Sequence, residues 1–99
     1  MEMVFEWNIE ETRANLMKHG LSFEEAKAVF GDPLSLTFPD DYHSDSEDRD
    51  ITVGRSERGK VLLVVHVDDW QPEDTQIVRI ISCRRATPSE RRIYGQGED

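Results

Sequence analysis

The stretch "KVLLVVHV", residues 60–67, constrains the fold of this chain more than any other. It is a nearly continuous β-branched and aliphatic run, and a strand of that kind needs cover on both faces. It therefore belongs at the centre of a sheet. Its neighbours supply the other strands. "LSLTF" (34–38) alternates apolar and polar, as a half-buried strand does, and "RDITVG" (49–54) alternates again with Ile51 and Val53 on one face. "TQIVRIISC" (75–83) is the last strand and "VFEW" (4–7) a short first one. Between them lie an acidic loop, "PDDYHSDSED" (39–48), the turn "RSERG", and a second loop, "DDWQPED" (68–74).

Three helices complete the reading. Asn8 can cap a helix from about Ile9 to Lys18, with Glu11 in position to close a capping box and Gly20 as the residue that ends it. Ile9, Leu16 and Met17 give that helix a thin apolar stripe. "LSFEEAKAVFGDP" is the clearest helix: Ser22 caps, Glu25 closes the box, Phe23, Ala26 and Phe30 share a face, and Gly31 and Pro33 stop it. "TPSE" (87–90) sets Thr at the cap, Pro at the first position and Glu at the third, starting a short helix through about Tyr94, with Gly95 ending it and the last residues fraying. The order β-α-α-β-β-β-β-α predicts one α+β domain over residues 1–99. It is an antiparallel meander with two N-terminal helices and one short C-terminal helix packed on the sheet.

Charge narrows the function. The net charge is −9, and residues 1–50 carry all of it, with 4 Lys/Arg against 13 Asp/Glu. Broad, nonspecific nucleic-acid binding needs an extended positive surface, which such a chain lacks. A small cationic pocket and a basic protein partner both remain compatible with it. No apolar run is long enough for a transmembrane helix, and "MEMVFEWN" carries acids where a signal peptide needs bases, so the expected compartment is the cytoplasm. The single cysteine, Cys83, fits a reducing compartment and reads as a small buried strand residue rather than a nucleophile. The acidic loop does not have the spacing of an EF-hand, and no metal site is expected there.

Against this acidity, "VRIISCRRATPSERRIYG" (78–95) gathers Arg79, Arg84, Arg85, Arg91 and Arg92 around one acid, Glu90. Strand alternation sets Arg79, Ile81 and Cys83 on one face and Val78, Ile80, Ser82 and Arg84 on the other. An arginine in a covered strand needs an anionic partner. That partner is either a ligand or an acid such as Glu47, Asp48 or Glu90. Arg91 and Tyr94, on the helix that follows, could reach the same site as Arg84 or simply be solvated and packed. Three histidines can move protons near neutral pH. His66 ends the central strand on the Leu62/Val64 face and reads by default as a core or rim residue. His43 lies four residues before Glu47 in the acidic loop. His19 closes the first helix, where a cation is favourable in any case.

Taken together, "FEWN…NLMKHGLSFEEAKAVFGDP", "DYHSDSEDRDITVG", "LLVVHV" and "RIISCRRATPSERRIY" resemble the BrnT family (DUF497), small toxins of bacterial type II toxin–antitoxin systems, from about Phe5 to Tyr94. His43, Glu47 and Arg49 supply an H-x-x-x-E-x-R element of the pattern. The resemblance implies a RelE-like ribonuclease that inhibits translation by cutting RNA without a metal or other cofactor. It also implies a DNA-binding BrnA-like antitoxin, through which operator DNA is reached. Cleavage of that kind needs a base for the ribose 2′-hydroxyl, a cation for the phosphorane-like transition state and an acid for the leaving oxygen. The residues expected to supply these are Arg79, Arg84, Glu47 or His66, and Tyr94. Lys18, Arg49 and Arg91 are expected to hold substrate. The chain departs from the family pattern in its acidity and in the length of "DDWQPEDTQ" before the last strand. A non-catalytic module that binds a basic antitoxin arm and acts in operon autorepression is the competing expectation.

Overall fold

The computed structural model describes residues 2–41 and 48–94. Its elements are β1 (Glu2–Glu6), α1 (Ile9–His19), α2 (Phe23–Lys27) continued by a 3-10 turn (Ala28–Gly31), β2 (Leu36–Pro39), β3 (Asp50–Arg55), β4 (Val61–Gln71), β5 (Thr75–Arg85) and α3 (Pro88–Ile93). The strands form one sheet in the order β1-β5-β4-β3-β2. β4, which contains the aliphatic run, is its middle strand. β2 to β5 form the expected antiparallel meander, and β1 adds a parallel edge strand, with Phe5 level with Val78 and Glu6 with Arg79.

The core lies on one face of this sheet. Leu62 and Val64 of β4 and Val78, Ile80 and Cys83 of β5 meet Leu21, Phe23, Ala26 and Val29, all essentially without solvent exposure. Burying a side chain such as Phe23 stabilises by about 1.5–3 kcal/mol. The turn of helix after α2 tightens to 3-10 at Ala28, and this aims Val29 into the core beside Phe23 and Ala26. Phe30, expected on that face, is half-buried and packs on Phe5 with ring centroids 5.3 Å apart. Gly54 of β3 is where this turn comes closest to the sheet. A Cβ there would sit 2.8 Å from Val29 Cγ1, so the strand needs a glycine at this position.

α1 is anchored differently from the expectation. Its apolar stripe faces solvent: Ile9, Leu16 and Met17 are 63%, 51% and 90% exposed. Its one buried residue is Asn15. The Asn15 amide donates to the Cys83 carbonyl (2.8 Å) and the Leu21 carbonyl (2.9 Å), and its Oδ1 accepts from the Cys83 N–H (2.9 Å). β1 ends opposite Arg79, so the outer edge of β5 beyond that point has no strand beside it. Asn15 takes a strand's place there, satisfying both backbone groups of Cys83. The cap residues themselves behave as read, but the reciprocal boxes expected from Glu11 and Glu25 do not close: Ser22 Oγ accepts from the Glu25 N–H, while Glu25 Oε2 finds no hydrogen-bond partner among the described residues. Asn8 Oδ1 accepts from the N–H groups of Glu10 and Glu11, Gly20 ends the helix at φ 70°, and Thr87 and Glu90 form a reciprocal capping box on α3.

Two further expectations are corrected. "DDWQPED" is not a loop: Asp68 to Gln71 continue β4, paired through Gln71 to Thr75. Only residues 72–74 turn, with Glu73 and Asp74 at positive φ (66° and 58°). The second correction is to the faces of β5. Val65 pairs with Ser82 but His66 with Ile80, so Ile81 is an extra residue, a β-bulge. The bulge reverses the alternation, and Val78, Ile80 and Cys83 all point into the core. Arg79 and Arg84, expected on opposite faces, therefore share the other one.

Candidate functional site

The face away from the core carries a groove of about 630 Å³. Its floor is apolar: Phe38 of β2, Ile51 of β3, Leu63 and Val65 of β4, Ile81 of the bulge and Ile93 of α3. Its rim is polar, formed by Lys18 and His19 from the end of α1, Asp40 and Arg49 from the strand ends, and Ser82, Arg84 and Glu90. Each comes from a local feature already described. Gly20 ends α1 at Lys18 and His19, so both stand at the groove. The bulge turns Arg84 to this face, and the capping box of α3 fixes Glu90 opposite it.

Arg84 and Glu90 form a two-pronged ion pair, Nη1 to Oε1 and Nη2 to Oε2, both 2.8 Å. Of the acids considered for this arginine, it is Glu90 that partners it. Arg84 Nη1 also donates to the Arg85 carbonyl (3.2 Å). Glu90 accepts from the Thr87 N–H as well (2.8 Å), so the carboxylate is held from two sides. The hydrogen bond from Arg84, outweighing burial and joined by the Thr87 bonds, takes the Glu90 pKa from 4.5 to about 2. The same pairing raises that of Arg84. A guanidinium has five N–H donors. Among the described residues these bonds use both hydrogens of Nη1 and one of Nη2, leaving Nε–H and the other Nη2–H. Those two point in parallel and make a second planar fork, the arrangement that grips two oxygens of a phosphate.

The other expected site residues lie elsewhere. Arg79 lines a separate depression among Glu6, Glu10 and Glu11. Tyr94 donates to Asp32 Oδ2 (2.5 Å), with the Arg55 guanidinium 5.4 Å from its ring centre. Burial and the bond to Asp32 hold its phenol proton above the ordinary value. Burial pushes the Asp32 carboxyl up, but hydrogen bonds from Tyr94, Leu34 and Arg55 overcome this and leave it lowered. Arg91 donates to the Ala86 carbonyl (3.3 Å) and is exposed outside the groove. Lys18 and Arg49 share the groove with Arg84. His43, Glu47 and Gly95 lie outside the described residues, as does most of the acidic loop.

His66 is on the opposite face, 1% exposed beneath Phe30. Its Nδ1 lies 2.7 Å from Asp68 Oδ1 and its Nε2 2.7 Å from Thr52 Oγ1, which is 2.8 Å from Thr37 Oγ1. Asp68 also accepts from Gln76 (2.8 Å). The Nδ1–H donates to Asp68, and Nε2 shares a hydrogen bond with the Thr52 hydroxyl, which shares another with Thr37. Both ring nitrogens are engaged inside the protein, and the groove does not reach them. Cys83 is equally enclosed; burial and then the charge of Glu25 push its thiol to about 12, far from a thiolate at neutral pH. Among the described residues no cluster of three or more His, Cys, Asp or Glu could hold a metal ion, and no helix is long and apolar enough to cross a membrane.

Sequence reasoning missed His19 and Phe38 as groove residues. His19 was visible in the motif "KHG" but had an ordinary explanation as a helix-terminal cation. Phe38 gave no signal beyond strand alternation.

Comparison with known proteins agrees with this fold. A family model described as "Ribonuclease toxin, BrnT, of type II toxin-antitoxin system" matches residues 7–90. The crystal structure of the Brucella abortus ribonuclease toxin BrnT superposes with a TM-score of 0.61 at 19% identity, covering 88% of this chain and 99% of that one. At that identity the likeness shows the shared fold. No curated protein sequence matches the chain. The family match spans most of the sequence, and the chain belongs to the BrnT family of type II toxin–antitoxin ribonuclease toxins.

Proposed function

We propose that this chain is a metal-independent endoribonuclease with a RelE-like arrangement, that it inhibits translation by cutting RNA, and that a BrnA-like antitoxin neutralises it. The observation that carries the reading is the second fork of Arg84, unused among the described residues, in a groove that also collects Lys18, His19 and Arg49. Arg84 grips the scissile phosphate through that fork, and its charge offsets the extra negative charge of the phosphorane-like transition state. Glu90 is a positioning residue: it fixes the guanidinium before substrate arrives, so less side-chain freedom is lost on binding. Lys18 and Arg49 hold flanking phosphates. His19 is the groove residue suited to moving a proton to or from the reacting oxygens. Glu47, by the family pattern, is the second proton-transfer group. Arg79, His66, Tyr94 and Arg91 have structural roles in this reading.

The test is cleavage of a single-stranded RNA by purified protein in chelator. Wild type cleaves and Arg84→Ala does not. Equal cleavage by the two proteins rejects the assignment of the groove.

The exposed apolar stripe of α1 and the acidic charge favour one other reading, a module whose work is to bind a basic antitoxin segment. Absence of cleavage by wild type, with tight antitoxin binding lost in Leu16→Asp, selects it.

A further inference from the structure

Phosphate-binding cations explain the rim of the groove but not its floor. The chain has four phenylalanines. Phe5, Phe23 and Phe30 lie against the core, each with a ring partner: Phe5 with Phe30, Phe23 with Trp7, and Phe30 also with His66. Phe38 has none among the described residues. It sits on the edge strand β2 level with Ile51, is 36% exposed, and lines the groove on the side opposite Arg84 in the strand order. A floor of Ile51, Val65 and Ile81 continues from its ring toward Lys18 and Arg84.

A groove with an apolar floor, an aromatic ring without a ring partner among the described residues and a polar rim that carries three basic side chains suits a ligand with an apolar half and an anionic half. A nucleotide is such a ligand: its base has two apolar faces and its phosphate is anionic. The volume, about 630 Å³, lies in the range of small-molecule sites. The charge contrast supports the same occupant. In a chain of net charge −9, this groove draws together Lys18, Arg49 and Arg84 with two acids, Asp40 and Glu90, and Glu90 is engaged by Arg84.

We propose that Phe38 is a base-stacking platform, so that the groove takes one unpaired nucleotide, its base laid on Phe38 and its phosphate on Arg84. This rests on the RNA-cleaving reading above and adds the substrate class. The RNA must be single-stranded where it is cut, because a base paired in a duplex does not offer its face to a side chain. Stacking of this kind tolerates any base, since every base has a π-face. The site therefore selects for strandedness rather than for sequence.

The test uses a short single-stranded 2′-O-methyl RNA. It keeps bases and phosphates but has no 2′-hydroxyl to be deprotonated, so binding is measured without cleavage. Wild type binds it, and binds the corresponding duplex at least tenfold more weakly. Phe38→Ala weakens single-strand binding about 5- to 100-fold, the range that loss of one base–aromatic stack gives, while Phe38→Trp retains it. The same oligonucleotide with abasic residues binds wild type and Phe38→Ala alike, because the ring then has nothing to stack on. Thermal melting of each variant checks that the edge strand still folds. Equal binding of intact RNA by wild type and Phe38→Ala overturns the proposal, as does an equal loss on abasic RNA. If Phe38→Ala keeps RNA binding but loses a copurifying protein partner, the floor is a protein-docking surface and the base site is rejected. If Arg84→Ala also leaves RNA binding intact, the RNA-cleaving reading fails with it; loss in Arg84→Ala alone leaves that reading standing and removes only the base site.

Discussion

The two faces of the sheet differ in how their polar groups are answered. On the helix-covered face, His66, Thr52 and Asp68 sit among Phe30 and the core. Hydrogen bonds within the protein run from Thr37 to Gln76. On the other face, Arg84 is held by Glu90 with one fork to spare, and Lys18 and His19 are exposed at the rim. A polar residue whose every donor and acceptor is used internally holds the fold together. A polar residue that is oriented but still has unused donors can act on something else. In the proposed reading the groove face is therefore the chemical one, and the buried histidine belongs to stability.

This contrast can be broken by mutation. The largest effect expected is on cleavage: Arg84→Ala lowers the rate by about 10²–10³-fold, the usual loss for one charge-stabilising donor. Arg84→Lys does not restore it, because an ammonium cannot form a planar fork. Relative rates on a fluorescent RNA, normalised to folded protein, measure this.

The next effect is on stability and comes from the opposite face. His66→Ala removes the middle of a buried network, and Thr52 and Asp68 each lose one of their two hydrogen bonds. The expected loss is about 2–4 kcal/mol, seen as a lower urea midpoint, with cleavage per folded molecule unchanged. Asn15→Ala should cost somewhat less, about 1–3 kcal/mol, because it frees the Cys83 N–H and carbonyl at the sheet edge. Hydrogen exchange at Cys83 should speed up more than exchange in β3.

The smallest effect is a pH dependence. The folded-state pKa of Glu90 lies below its unfolded value, so its ion pair contributes stability that is fully present above about pH 4.5. That contribution is lost as pH falls toward about 2. Glu90→Gln should flatten the melting temperature across this window by lowering it at neutral pH, where the contribution is fully present, and leaving it little changed near pH 2. An unchanged acid slope in the variant would show that other carboxylates dominate it.

Much of the architecture could be read from sequence because local chemistry and tertiary structure agree there. The run at residues 60–67 had to be central, and the TPSE signature forms the capping box it describes. Three features were hidden for physical reasons. A β-bulge inserts a residue without changing its type, so Ile81 and Ser82 look like ordinary alternation while the faces of β5 exchange. The end of β4, Asp68 to Gln71, pairs with the start of β5. Asp69, Trp70 and Gln71 are exposed, and a strand without cover has the polarity of a loop. α1 is held by one asparagine at a strand edge, a role no hydrophobic pattern encodes, and its apolar residues are left facing solvent.

The candidate site was only partly legible. Lys18, Arg49 and Arg84 do share the groove. Tyr94 and Arg91 follow Arg84 closely in sequence, but α3 turns them toward Asp32 and Ala86 instead. Of the histidines, the strand residue expected as a proton-transfer candidate is enclosed, and the one at the helix end, expected as a helix-terminal cation, lines the groove.

The direct test of the account is therefore a comparison of His19→Gln with His66→Gln in the same RNA-cleavage assay, at equal concentrations of folded protein. The account predicts that His19→Gln loses about 10²-fold or more in rate and keeps its stability, while His66→Gln is destabilised and cleaves at the wild-type rate. The reverse pattern, with His66 required for cleavage and His19 dispensable, would contradict it.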